Sequence, residues 1–230
     1  MSEVREPDFS LRGIDNQKIF FIHNRNLYAA VSATSTMQYE NTRENIKHHE
    51  KIIELFMEKY PILPFKFNSI VGEKIGRGIL VKYYKKLQQN LSKVQNKVEY
   101  LVCASKKSPS KLTDLNKNFK EKKLNKYTGR EVFLSKLFNI KEKVLSRQLN
   151  IPLDSSAFES YIEFLPSENI ILNGEYLVYK NMTNKFEKEL ANLKALYPHL
   201  DFLSIGPRPP YCFNIIDITK DNTVRLKRSK

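Results

Sequence analysis

Apolar and polar positions change rhythm several times along this chain, and each change marks an element. Ile19 to His23 and Leu27 to Ser32 are short runs rich in β-branched and aromatic residues. The polar turn Asn24-Arg25-Asn26 separates them, so a pair of strands is expected. A weaker strand, Phe9 to Ile14, precedes them and closes at Asp15-Asn16. After a polar loop, Asn41 or Thr42 is placed to cap a helix with Glu44 in its first turn. Ile46, Ile52, Ile53, Phe56 and Met57 fall on one helical face, and Pro61 stops the helix. Ile62 to Phe67 then reads as a short strand, with Pro64 confining it to an edge or a bulge. A single long helix is expected from Glu73 to Val94, because Ile75, Ile79, Tyr83, Leu87 and Leu91 recur along it. Lys97 to Ala104 returns to strand character.

The second half repeats this mixture without repeating the sequence. Residues 105–127 are poor in apolar side chains and rich in lysine, and read as a linker. A helix is expected from Thr128 to Leu149, with Val132, Phe133, Leu137, Ile140 and Val144 on one side, and a loop from Pro152 to Phe158. Tyr161 to Leu165 and Ile170 to Leu172 are strand candidates. Asn173-Gly174, set before Tyr176 to Tyr179, signals a two-residue hairpin. A helix from Asn184 to Tyr197 carries Phe186, Leu190, Leu193 and Tyr197 in register, and Leu200 to Ile205 is the last strand. The expected class is α+β: two small domains, each a mostly antiparallel sheet with helices packed on one face, as ferredoxin-like variants. The expected boundaries are an N-terminal domain at 1–104, a basic linker at 105–127, a C-terminal domain at 128–217 and a basic tail at 218–230.

The most specific string is Leu203 to Phe213, LSIGPRPPYCF. Gly206 permits backbone angles closed to other residues, while Pro207, Pro209 and Pro210 fix their own φ and restrict their neighbours. A stiff corner at a sheet edge is expected, holding Tyr211 and Phe213 with little conformational freedom left to lose. Those rings serve either as core anchors or as partner contacts. Leu63, Pro64, Phe65 and Phe67 read first as core packing.

This corner resembles the glycine-proline-aromatic-proline-proline-tyrosine signature of the gas vesicle protein F and L family. Asn26 to Ser32 (NLYAAVS), His49 to Phe67 (HEKIIELFMEKYPILPFKF) and Asn173 to Leu193 agree with further family stretches in order and spacing. The resemblance spans approximately residues 10 to 213. Arg208 stands where the family usually has tryptophan, Cys212 replaces a serine, and Asn68-Ser69 replaces glycine-threonine. The resemblance implies a two-domain α+β fold and an accessory role in gas vesicle assembly. The implied partners are the small hydrophobic major shell protein and other gas vesicle accessory proteins. Tyr211 and Phe213 are then the candidate contacts, with Arg208 at the rim and Leu63 and Phe65 beside them.

Composition narrows the alternatives. Hydrophobic residues make up 41% of the 230, including 14 Phe and 12 Tyr, which suits a folded chain with a real core. No apolar run approaches the ~18 residues of a membrane helix. The start, MSEVREPDF, is polar and acidic where a secretory leader is basic and then apolar, so a cytoplasmic protein is expected. Its two cysteines, Cys103 and Cys212, make no disulfide framework and lack metal-site spacing.

The net charge of +14 raises a nucleic-acid-binding alternative, but the charge is concentrated. Residues 105–126 carry eight lysines against Asp114 and Glu121, and 218–230 carry a net +4. The first of these has one aromatic, Phe119, and the second has none, so bases would find no stacking platform. No specific nucleic-acid or membrane partner is expected. Catalysis is not expected either. His48-His49-Glu50 puts adjacent histidines about 100° apart on a helix, which does not make a zinc pair. His23 and His199 suit turn or capping roles. Gly72, Gly76 and Gly78 fit no phosphate-loop spacing and read as close-packing positions in a helix. Cys103 reads as a small buried residue, and Cys212 has no histidine nearby in sequence. No metal, cofactor or enzymatic activity is expected.

Overall fold

A computed structural model describes residues 11–107, 140–163 and 169–214. These fall into two compact units. The first holds 11–97 together with 208–214, and the second holds 98–107, 140–163 and 169–207. The expected linker and tail lie almost wholly outside the described residues. So do residues 128–139 at the start of the expected third helix.

In the first unit, strands β1 (Ile19–Asn24) and β2 (Leu27–Ser32) form an antiparallel hairpin in which Asn24 faces Leu27. Before it, Arg12 bridges Lys18 around a 3-10 turn at Ile14–Asn16, where Asp15 and Asn16 adopt positive φ. Helix α1 (Arg43–Lys59) starts where the Thr42 side chain accepts from the Asn45 amide. Ile53 and Phe56 are its buried residues, and Phe56 meets the edge of Phe21 on β1.

The expected long helix is two: α2 (Glu73–Lys82) and α3 (Tyr84–Val94). They break at Tyr83, although the Tyr83 amide still reaches the Ile79 carbonyl and the Leu87 amide the Tyr83 carbonyl. The physical reason lies in the spacing. A repeat of four residues advances about 40° per step on an α-helix, so a straight helix would carry Leu91 far from Ile75. The bend restores the inward face. The buried line is Gly76, Leu80, Leu87 and Val94, while Ile75, Ile79, Tyr83 and Leu91 flank it half-buried. Ile22, Leu27, Leu80 and Leu87 form one buried core cluster of this unit. A Cβ on Gly76 would lie 3.1 Å from Ile22, which accounts for the small residue in that helix.

The second unit runs β3 (Lys97–Lys106), α4 (Ile140–Asp154), β4 (Glu159–Ile162), β5 (Ile170–Tyr179), α5 (Thr183–Leu196) and β6 (Leu200–Arg208). The sheet order is β4-β5-β3-β6, so the first strand of a βαββαβ unit lies beside the last, a ferredoxin-like arrangement. Phe186 of α5 is fully buried against Tyr100 of β3 and Tyr176 of β5, with ring centroids 4.7 and 5.3 Å away.

Two expectations fail here. Asn173-Gly174 makes no hairpin; both residues lie inside the continuous strand β5, where Gly174 pairs with Ile162. The glycine answers a need for space: a Cβ there would sit 2.6 Å from the Tyr176 hydroxyl, which donates to Asn150. Helix α4 also runs past Pro152 to Asp154, because Leu149 and Leu153 are both fully buried on its inner face. Val144, expected inside, is 51% exposed.

Candidate partner-binding surface

The proline corner begins as the last residues of β6, an edge strand of its sheet. Gly206 has φ 148°, and a Cβ there would lie 2.7 Å from the Tyr100 ring and 2.8 Å from the Glu99 carbonyl. Both backbone angle and proximity therefore require glycine. A cis peptide joins Gly206 to Pro207, and the strand reaches Arg208, three residues beyond its expected end.

Beyond Arg208 the corner belongs to the first unit. Pro209 and Pro210 are buried, and the Tyr211 amide donates to the Pro209 carbonyl at 2.9 Å. Phe213 is 4% exposed, with the Lys93 ammonium 5.6 Å from its ring centroid. Tyr211 is half-buried, and Arg208, also half-buried, donates through Nη2 to Cys212 Sγ at 3.8 Å. Of the two candidate rings, Phe213 faces inward and Tyr211 reaches the surface.

Residues 62–67 form no strand. Their carbonyls are met by side chains from elsewhere in the unit. His49 Nε2 donates to the Phe65 carbonyl at 3.0 Å, and Asn214 Nδ2 donates to the Pro64 carbonyl at 3.1 Å. Pro64 has no amide to give a ladder, and these two bonds hold the extended strap instead. Leu63 and Phe65 are half-buried against the core of the first unit, and Phe67 meets the edge of His49. The strap thus joins the corner through Asn214, bringing Leu63, Phe65, Arg208, Tyr211 and Phe213 into one unit.

The departures from the family pattern have a local account in one case. Asn68 adopts φ 64°, a conformation asparagine tolerates better than most residues. Its side chain donates to the Tyr39 carbonyl and accepts from the Tyr39 amide at 2.9 and 2.8 Å. That amide pairing does work a glycine could not.

The histidines have structural partners. His48 donates through Nε2 to the Arg12 carbonyl, His23 stacks on Tyr28, and His199 meets the edge of Tyr197. Burial pushes the Cys103 thiol up to about 11. Among the described residues, no three His, Cys, Asp or Glu side chains gather closely enough to hold a metal. Among the same residues, no helix is long and apolar enough to cross a membrane.

An exposed aromatic group went unread in the sequence. Phe158, Tyr161 and Tyr179 are 48%, 61% and 40% exposed at the β4–β5 edge, with Phe158 and Tyr179 edge to face. Tyr161 lies on β4, a four-residue strand at the edge of the sheet among the described residues.

Two solved structures share this architecture. The gas vesicle protein GvpF from Microcystis aeruginosa superposes with a TM-score of 0.71 at 19% identity, covering 92% of this chain and 95% of that one. GvpF from Anabaena sp. PCC7120 gives 0.66 at 19% identity, covering 90% and 92%. No curated relative matches in sequence. The family model described as gas vesicle synthesis protein GvpL/GvpF matches residues 2–214. On that match over nearly its whole length, the chain belongs to the GvpL/GvpF family of gas vesicle synthesis proteins.

Proposed function

We propose that this chain binds the hydrophobic major shell protein during gas vesicle assembly, through the surface built by the proline corner and the strap at Leu63 to Phe67. Family membership supplies the general role in gas vesicle assembly and the association with vesicle components. The shell protein as the specific partner is our reading. A shell subunit must keep an apolar face from aggregating until it polymerises, and an accessory protein can cover it. The observation carrying this reading is the bond from Asn214 to Pro64, which ties the corner to the strap and leaves Tyr211 at the surface of a stiffened segment. An aromatic held by prolines loses little entropy when a partner orders it. The protein acts as a binding factor in the cytoplasm, where vesicle shells grow, and not as a catalyst.

The test is co-expression with the major shell protein, followed by capture at low and high salt. Capture that persists at high salt and falls on Tyr211→Ala supports an apolar interface at the corner. Capture that Tyr211→Ala leaves unchanged removes this surface, and nucleic acid in place of shell protein removes the reading itself.

A further inference from the structure

A cationic cleft of about 470 Å³ opens in the first unit where the β1–β2 turn meets the junction of α2 and α3. Four cations line it, from three elements: Arg25, Lys82, Lys85 and Lys86, with Tyr83 and Tyr84 as walls. Among the described residues, no acidic side chain lines it. It shares no lining residue with the corner, and it draws on neither lysine-rich segment of the sequence.

The cleft is held open by neutral side chains. Asn24 Nδ2 donates to the Leu80 carbonyl at 3.2 Å, fixing the hairpin turn to the end of α2. Asn26 Oδ1 accepts from the Tyr84 hydroxyl at 2.6 Å and from Gln88 Nε2 at 3.2 Å, fixing the same turn to α3. Arg25 sits in that turn with φ 56°, a conformation that glycine or asparagine adopts more readily. The turn thus carries a cation against its local backbone preference. Lys85 and Lys86 lie on α3 just past its junction with α2, and both are exposed.

We infer that this cleft binds an acidic peptide segment of a partner protein, its carboxylates meeting Arg25, Lys85 and Lys86. The aromatic walls favour a peptide over a single-stranded nucleic acid. The Tyr84 ring lies under the Arg25 guanidinium at 5.0 Å, and the Tyr83 ring under the Lys82 ammonium at 5.1 Å. Neither ring is open on that side to stack on a base, the contact that unstructured strands rely on. A shallower depression lined by Gln88, Gln89 and Ser92 continues from Lys85 along α3. It extends the track by about 10 Å, room for roughly three more extended residues. The occupant is therefore a short segment with acidic residues at one end and polar residues at the other.

The experiment titrates the full chain with a fluorescent peptide of ten glutamates, by anisotropy at low salt. Three variants are compared. Lys85→Gln with Lys86→Gln removes two charges from the cleft. Lys47→Gln with Lys51→Gln removes two from the exposed face of α1. Arg25→Gly removes a cation while easing the turn. The cleft variant is expected to weaken binding about fivefold, from the usual contribution of exposed ion pairs. The α1 variant should stay within about twofold of the parent. Arg25→Gly should weaken binding while melting no lower than the parent. Equal losses in the cleft and α1 variants would reduce the effect to net charge and overturn the inference. Absence of peptide binding to the parent would overturn it too. So would an oligothymidylate of the same length that binds more tightly than the peptide and depends equally on Lys85 and Lys86.

Discussion

The Asn214 side-chain amide donates to the Pro64 carbonyl at 3.1 Å across 150 residues of sequence. Two segments that proline bars from a ladder thereby secure each other. Asn214→Ala leaves a buried carbonyl without this donor, a loss worth about 1–2 kcal/mol. The expected outcome is a lower urea midpoint with an unchanged slope. An unchanged midpoint would show that the strap is held without the corner.

Glycine 206 and Gly78 make opposite predictions. At Gly206 an added Cβ meets the Tyr100 ring and the Glu99 carbonyl within 3 Å, at φ 148°. Gly206→Ala should cost about 2 kcal/mol or more. At Gly78, inside α2, nothing lies within 4 Å of the added carbon. Gly78→Ala should stabilise the protein by about 0.5–1 kcal/mol through helix propensity. Thermal melts of the two variants check both signs at once.

The positions of these glycines show where sequence reasoning reaches and where it stops. The helices that bury Phe56, Phe186, Leu190 and Leu193 were legible, because one amphipathic face repeats at the helical period. Asn173-Gly174 misled because a hairpin signal is local, whereas its cause here is the Tyr176 ring lying over Gly174 and reaching Asn150. The strap failed as a strand for a related reason. Its carbonyl partners, His49 and Asn214, lie on other elements, and no local pattern announces them. The corner was recognisable as a rigid feature, but which ring turns inward depended on the burial of Phe213 beside Lys93. The cleft at Arg25 was invisible, since its cations come from separate elements and converge only in the fold.

Alkaline pH should destabilise the second unit, which holds Tyr100, Cys103 and Tyr176. Burial holds the Cys103 thiol up at about 11 from an ordinary 9.0. Burial, then the charge of Asp154, raises the Tyr176 phenol above its ordinary value. Burial, then the bond to Glu187, does the same for Tyr100. The native state keeps these protons at pH values where the unfolded chain releases them, so their contribution is full below about pH 9 and falls as pH rises. The urea midpoint should begin to decline at about pH 9, and the decline should continue to about pH 11 and beyond as the thiol and then the phenols ionise. Tyr176→Phe should lower stability by about 1 kcal/mol at neutral pH, through the lost bond to Asn150, and flatten the alkaline decline. A decline of unchanged steepness would remove Tyr176 from the account.

Phe213 and Tyr211 separate folding from recognition at the corner. Phe213 is 4% exposed, and truncating a buried phenylalanine costs about 3–5 kcal/mol. Phe213→Ala should therefore lower the melting temperature sharply and lose shell-protein capture only as folded protein is lost. Phe213→Leu, which keeps most of the apolar volume, should recover both together. Tyr211 is half-buried, so Tyr211→Ala should cost little more than about 1 kcal/mol of stability. If its ring is a contact, capture falls while the melt barely moves. Loss of capture in proportion to loss of stability for both variants would make the corner a structural clasp, and the binding surface would have to lie elsewhere.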